Sequence, residues 1–555
     1  MDMPMMTEAD GIVQHRRIEF LGYDHNLLAG EGAVYDMENI TGDRLPLLTV
    51  RPPRCHMLSI PHPGSLYADD RLFWVSDHCL YEKTAGKLLS GLSTNHPGFA
   101  TLGHYLILLP DLLYCRPVPQ GPQGSPGWET GSLANHFNQN LDPDREAVYH
   151  LQNPIPGETA AAAVLELPTA NHGFRVGDGV QIRVFSRSPS RHQVIDAVIR
   201  QVDGTKLGFY ENSFARLLGD AQSVTLPTAI SRSVPDLDFI CVNENRLWGC
   251  KGDKLYGSKL GDPFNFNCFD GLSTDSFALE TGSPGAFTAC VSFQGYPLFF
   301  KEDQIFKLYG SKPENFQLLS FTALGVQAGS AKSLAVAGEQ LFYLSRAGVM
   351  CYSGGAVQPM NQVFGEIRYH GGVGGSDGSK YYLSMLDAGN RAHLFFYDTL
   401  KRQWYRQDDT RALGFGYHGG FYCLGDTGDL WLLGEAPAES SPAPPFGNPR
   451  PELPEEVESF IEFADFYEGG PNHFATSKLL IRIEVPEGAA VTVSLQYDSD
   501  GIWHDAARLT PARKKSYYLP IIPRRCDHYR IRLRGKGRWQ LFSLVRESYT
   551  GSPLH

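Results

Sequence analysis

The chain has 555 residues, of which 42% are hydrophobic and 20% charged, and 49 Lys+Arg against 61 Asp+Glu leave a formal charge of −12. That is an ordinary globular mixture. It is too acidic for a typical nucleic-acid binder, which shows a basic total or a basic stripe, and no apolar run approaches the about 20 residues of a membrane helix. Fifty-eight Gly, 37 Pro, 26 Tyr and 32 Phe suit many short strands and tight turns, and the length suggests about three or four domains.

The N-terminus, MDMPMMTEADG, is acidic and lacks the apolar core of a secretory signal. The longest apolar candidate, Tyr105 to Leu113, is interrupted by Pro110 and Asp111. Ten cysteines without a CxxC pair predict reduced, buried thiols rather than a zinc or dithiol site. No metal or cofactor is expected.

Residues 1–60 do not repeat and read as an N-terminal arm or assembly segment. Seven segments then share one grammar: an apolar-aromatic run, a polar turn and a second apolar-aromatic run. They begin at Arg71 (RLFWVSDHCLYE), His104 (HYLILLPDLLYC), Asn245 (NRLWGCKGDKLYGS), Tyr296 (YPLFFKEDQIFKLYG), Glu339 (EQLFYLSRAGVMCYSGG), Lys380 (KYYLSML…QWY) and Phe421 (FYCLGDTGDLWLLG). Turns such as Lys251-Gly252-Asp253, Arg346-Ala347-Gly348 and Thr427-Gly428-Asp429 supply the positive φ of tight hairpins. A hairpin unit recurring every 40 to 50 or so residues predicts an all-β fold, a β-propeller of six or seven blades. A sandwich alone would space its strands at 8–12 residues.

The first blades occupy 61–120 and the remaining ones 233–434. Pro117 to Gly127 reads as a linker into an inserted small β-domain, 128–232, where Val180, Ile182 and Val184 alternate with Gln181 and Arg183. A Pro-rich acidic linker, 435–457, leads to a C-terminal β-sandwich-like domain, 458–555. In its strand YRIRLRG, alternation turns Arg530, Arg532 and Arg534 to one face. With Arg524, Arg525 and Arg538 they form the one basic cluster, read either as a contact for an acidic neighbour or as a solvated strand face.

No catalytic signature withstands inspection, and no enzyme is expected. Gly374 to Gly378 fits GxSxG, and Gly414 to Gly419 fits GxGxxG, but each is followed by a strand where its motif needs a helix. Both read as turns between blade strands. Asp498-Ser499-Asp500-Gly501 lacks both end ligands of a calcium loop and reads as a strand turn. Asp236 and Asp238 are candidates for a paired-carboxylate hydrolase. Trp404 and Tyr405 are candidates for stacking on sugars.

Four stretches carry a family resemblance. YDMENITGDRLPLLTVRPPR (Tyr35 to Arg54) resembles the opening of phage tail proteins. NRLWGCKGDKLYGSKLGDPFNF (Asn245 to Phe266) resembles the blade motif of tail nozzle and hub proteins of short-tailed phages, the tail tubular protein B and stabilisation-protein type. FRVGDGVQIRV and the terminal YDSDGIW…LPIIPRRCDHYRIRLRGKG are similar to domains of phage structural proteins. The resemblance implies a virion protein, assembled in the host cytoplasm, that forms a ring of about six copies below the portal and adaptor and extends the DNA-ejection channel. Its implied partners are copies of itself, the portal or adaptor, other tail proteins and DNA in transit, with no membrane insertion. An acidic lining would let phosphates slide. The inter-subunit candidates are Tyr35, Asp36, Asn39, Asp43, Pro46, Arg51 and Arg54, with Arg524, Arg525, Arg530 and Arg532. Asp262-Pro263 and Asn265-Phe266 are expected to fix an inter-blade turn. The other expectation is a receptor- or glycan-binding propeller at the tail tip.

Overall fold

Each of the seven aromatic-rich segments folds as the middle of a four-stranded antiparallel sheet, so the described residues contain seven such sheets and the fold is an all-β propeller. A computed structural model describes residues 13–26, 29–30, 32–44, 46–119, 127–137, 146–150, 163–185, 193–209, 222–232, 234–269, 271–434, 457–467, 474–522 and 524–550. The linker expected at 435–457 lies outside them except for its last residue. Helix is confined, among the described residues, to three-residue 3-10 turns such as Ala331–Ser333. No helix there is long and apolar enough to cross a membrane.

The chain divides into two units, Met1–Asp77 with Gly329–His555, and His78–Ala328. In the first unit, the fifth blade comprises strands within 335–359, the sixth 370–408, and the seventh 412–433. The seventh is completed by Cys55–Ser59, which pairs with Asp429–Leu433 as the outermost strand. The middle strands are the apolar ones. Gln340–Ser345, Lys380–Leu386 and Phe421–Gly425 are buried almost throughout. Outer strands such as Val357–Pro359 are short and exposed.

The two formal glycine motifs belong to first strands of blades, not to turns. Gly374, Gly375 and Ser376 lie in His370–Ser376, and Gly414 and Gly416 in Ala412–Tyr417. There the first strands of adjacent blades abut. A Cβ on Gly416 would sit 2.6 Å from that of Ala68, one on Gly414 3.0 Å from the backbone of Leu66, and one on Gly375 inside the Phe415 side chain. Glycine is needed because neighbouring backbones approach, which is also what a phosphate-binding loop asks of it. Gly375→Val is therefore expected to cost roughly 1–3 kcal/mol by overpacking. Ser376→Ala should leave the unfolding free energy within about 0.5 kcal/mol of wild type.

The segment read as an arm is built into the C-terminal sandwich. One sheet runs Ile40–Thr41, Leu48–Val50, Gln540–Thr550, Phe474–Val485, Ala512–Tyr518, with Val13–Arg17 also on Gln540–Thr550. The other runs Val34–Glu38, Glu458–Phe463, His528–Lys536, Ala490–Tyr497, His504–Leu509. One continuous apolar core joins sandwich residues (Ile461, Ile481, Trp539), the N-terminal Phe20, Val34, Met37 and Ile40, and blade residues (Phe342, Tyr381, Phe395, Tyr405).

In the second unit, blades lie within 98–132, 239–280 and 289–322. The Pro/Gly stretch read as a linker is a blade connection: Leu113–Val118 pairs with Gly127–Ser132, Val118 opposite Gly127. Hairpin loops and linkers share their turn chemistry, so composition could not separate them. The insert begins after it. Strands from Asn135 to Arg232 form one eight-stranded sheet around Tyr149, Leu165, Val180, Ile182, Leu207 and Phe209. Gly204 carries the positive φ of the tight turn between the paired strands Gln201–Asp203 and Lys206–Phe209. All ten cysteines are free, eight of them buried.

Candidate functional site

Two polar joints, one in each unit, gather most of the motif residues. The first lies along the outer strand of the sixth blade, Gln403–Asp408. That strand has a free edge, and the N-terminal segment takes it. The Tyr23 amide donates to the Trp404 carbonyl (2.8 Å) and the Asn39 amide to the Gln407 carbonyl (2.6 Å). Asn39 holds a positive φ of 58°, a conformation asparagine tolerates better than most residues. Its buried side chain accepts from Arg51 Nε (2.6 Å) and donates to the Glu458 carbonyl (2.9 Å), tying segment to sandwich.

Arg51 and Arg54 both reach Asp408, at 3.6 and 2.8 Å, and Arg54 also donates to Gln407 (2.8 Å) and Thr410 (3.0 Å). Burial opposes ionisation of Asp408, but Arg54, Thr410 and Arg51 together outweigh it and hold its carboxyl below the usual value. A carboxyl whose pKa falls on folding stabilises the fold above its unfolded value, about 3.9, and that stabilisation is lost as pH falls through the folded value. Asp408→Asn should therefore lose less melting temperature than wild type between pH 4 and pH 2. Parallel melting curves there would refute the linkage.

Asp36 and Glu38 behave oppositely. Burial raises both, partly offset by Arg406, which lies 3.5 Å from Asp36 and 3.9 Å from Glu38 and binds Asp409 at 2.6 Å. Asp43 takes Lys380 (2.6 Å) and Lys401 (3.7 Å), and Gly42 leaves room for the Tyr405 hydroxyl. Tyr35 stacks on His25 (4.2 Å) beneath the Arg530 guanidinium (4.9 Å). Pro46 stands exposed in the loop before Leu48–Val50.

The side chains of Tyr35, Asp36, Asn39, Asp43, Arg51 and Arg54 are thus engaged within the chain. Arg530 likewise meets Glu462 and Asp465, and Arg532 lies 4.0 Å over the Trp503 ring. Alternation put these arginines on one face as expected, but their partners, Glu462 and Asp465 for Arg530 and the Trp503 ring for Arg532, come from before the strand, where sequence spacing is blind. Arg525 and Arg534 are exposed, and Arg524 is about half exposed beside Asp500.

The second joint mounts the insert on the third blade, within the second unit. Asp178 and Arg232 form a buried pair at 2.8 Å, and Arg232 also donates to the Leu133 carbonyl and lies over Phe264. The Gly179 amide donates to Asn265 Oδ1 (2.8 Å), while Asn265 Nδ2 donates to Asp178 and Asp262. A side chain at Gly179 would collide with the Asn267 carbonyl. The GDG of FRVGDG and the DPFNF of the blade motif therefore meet in one structure: Asn265 fixes the insert to the blade, while Phe264 and Phe266 pack against the preceding blade, Phe264 edge-on to Tyr105 and Tyr114 at 5.2 Å each. Arg246, of the same motif, is buried and donates to the carbonyls of Ser258, Ser273 and Asp275.

The remaining candidates are placed plainly. Asp236 and Asp238 share Lys251 (3.2 and 2.7 Å) as a surface ion triad, not a pocket pair. Trp404 and Tyr405 are buried and present no stacking surface to a sugar. Asp498 and Ser499 carry positive φ in a tight turn between strands. Among the described residues, no group of three His, Cys, Asp or Glu side chains could hold a metal.

No protein-family model and no curated protein matches the chain. Solved structures match it at low similarity. AztD from Citrobacter koseri is 10% identical with a TM-score of 0.29 and covers 71% of this chain and 94% of its own. The WD40 domain of Toxoplasma gondii coronin is 9% identical at 0.23, covering 57% and 71%. Raptor from Chaetomium thermophilum is 9% identical at 0.31, covering 70% of this chain, which spans only 30% of Raptor. At such scores these likenesses carry no argument about function.

Proposed function

We propose that the chain is a structural protein of a bacteriophage tail. In this reading it forms a ring of about six copies that extends the DNA-ejection channel below the portal and adaptor, as nozzle or hub, and it resides in the virion. One observation supports this above the others. The residues that carry the resemblance to phage tail proteins (Asp36, Asn39, Gly42, Asp43, Arg51 and Arg54 at one joint, Asp178, Gly179, Asp262 and Asn265 at the other) are spent on bracing rather than on a reactive cleft. Such bracing suits a part that bears load and does no chemistry. The charge of −12 suits a conduit that must not hold DNA. A closed ring needs a heterologous interface, for which the exposed Arg525 and Pro46 are available positions.

The test is the solution mass of the purified chain with negative-stain images of the same sample. A ring of about six copies with a central hole is expected. A chain that remains monomeric both alone and when mixed with a tail adaptor ring overturns the proposal.

A further inference from the structure

The sandwich contains a half-open cavity of about 440 Å³ that neither joint uses. Small-molecule sites are of this size, roughly 300–1,000 Å³, with an apolar wall and a few convergent polar groups. Here Ala490–Tyr497 and the adjoining edge strand His504–Leu509 supply one side, and the stretch after Ala512–Tyr518 the other. The wall carries Tyr497, Ile521 and Ile522, and the polar groups are His504, Asp505 and Arg524.

These polar groups are only partly used. Asp505 accepts from the Ser494 hydroxyl through Oδ1 (2.7 Å), and its Oδ2 has no hydrogen bond among the described residues. The exposed His504 ring lies 6.3 Å from that of Tyr497, and neither of its nitrogens is hydrogen-bonded among the described residues. The Arg524 guanidinium rests 5.3 Å over Tyr497 and among the described residues pairs only with Asp500, at 3.8 Å, leaving most of its donor fork open. Beside them in the lining, Ile522 is 85% exposed. A surface does not ordinarily gather large apolar side chains around unspent donors and acceptors.

The geometry points to a saccharide-binding site that takes a neutral sugar ring. A pyranose has apolar C–H faces for Ile521, Ile522 and the Tyr497 edge. Its vicinal hydroxyls match the donor fork of Arg524 and the open Oδ2 of Asp505. Other ligand classes fit less well. Asp505 lines the cavity with Arg524, and Asp500 lies 3.8 Å from that guanidinium, so a phosphate or sialate would compete with two carboxylates for the cation. An acyl chain would have to bury Asp505 and Arg524 without partners.

This site is independent of the ring reading, and the experiment keeps the two apart. The full chain is screened on an array of neutral, sialylated and phosphorylated glycans, and the best neutral probe is titrated calorimetrically. The same titration is run on Ile522→Asp, His504→Ala and Asp505→Asn, with melting temperature and assembly mass recorded for each. Neutral glycans are expected to bind. Ile522→Asp and Asp505→Asn are each expected to weaken binding tenfold or more, and His504→Ala several-fold, with melting temperature and mass unchanged. Ile522 is too exposed for its loss to unfold the sandwich. Retention of anionic glycans alone, no glycan retention, or neutral binding insensitive to Ile522→Asp would each overturn the assignment.

Discussion

A chain that begins at residue 51 is expected not to fold. If residues 13–50 were an arm, their removal would spare the melting transition and abolish only assembly. The structure places them inside the sandwich, where Phe20, Tyr23, Val34, Met37, Ile40, Leu48 and Val50 are buried. At roughly 1.5–3 kcal/mol for each large apolar side chain removed from water, their loss amounts to something like 10–20 kcal/mol. That exceeds the about 5–15 kcal/mol by which proteins are usually stable. Both sandwich sheets would also lose strands, leaving the edges of Glu458–Phe463 and Gln540–Thr550 unpaired. Expression of the truncated chain should give insoluble protein, or soluble protein without a cooperative calorimetric transition. A truncated chain that melts as wild type and merely stays monomeric would refute this placement.

The second large effect is expected at Asp178. Removing one partner of a buried ion pair leaves the other charge uncompensated, at a cost of about 3–5 kcal/mol. Arg232 would be that charge, with the Leu133 carbonyl and the Phe264 ring as its remaining partners among the described residues. Asp178→Ala should therefore lower the denaturant midpoint sharply. Combining it with Arg232→Met should recover part of the loss, because no orphan guanidinium remains. Asp236→Ala, in a surface triad, should change stability by less than about 1 kcal/mol. A loss under about 1 kcal/mol for Asp178→Ala would mean that the joint does not hold the insert.

What the sequence revealed follows the reach of each interaction. The central hairpins were legible because run, turn and run sit within about fifteen residues, as in NRLWGCKGDKLYGS, where Gly252 takes its positive φ. The outer blade strands were not. Phe277–Glu280 and Val357–Pro359 are short and mostly exposed, and they lack periodicity of their own. Pairings over hundreds of residues leave no local trace. Val34–Glu38 finds Glu458–Phe463, and Cys55–Ser59 finds Asp429–Leu433, only in the folded chain. The motif residues were visible as unusual, but their purpose was not. Asn265 and Asp178 look like turn residues until their segments meet. The sandwich cavity was missed altogether. His504, Asp505, Ile522 and Arg524 have no spacing rule, and only the turn at Asp498-Ser499 hinted that their strands return side by side.

The seventh blade also sets a timetable for synthesis. Leu58 must wait for Leu430. At about 5–20 residues per second on the ribosome, the first of these strands leaves the exit tunnel roughly 20–70 s before its partner. Val34–Glu38 waits longer still for Glu458–Phe463. Throughout that interval, nascent chains carry unpaired β-edges while neighbouring ribosomes on the same message do likewise. A cell making many copies at once therefore has to keep those early strands apart, by a chaperone or by slow loading of ribosomes, until the carboxyl-terminal half arrives to claim them.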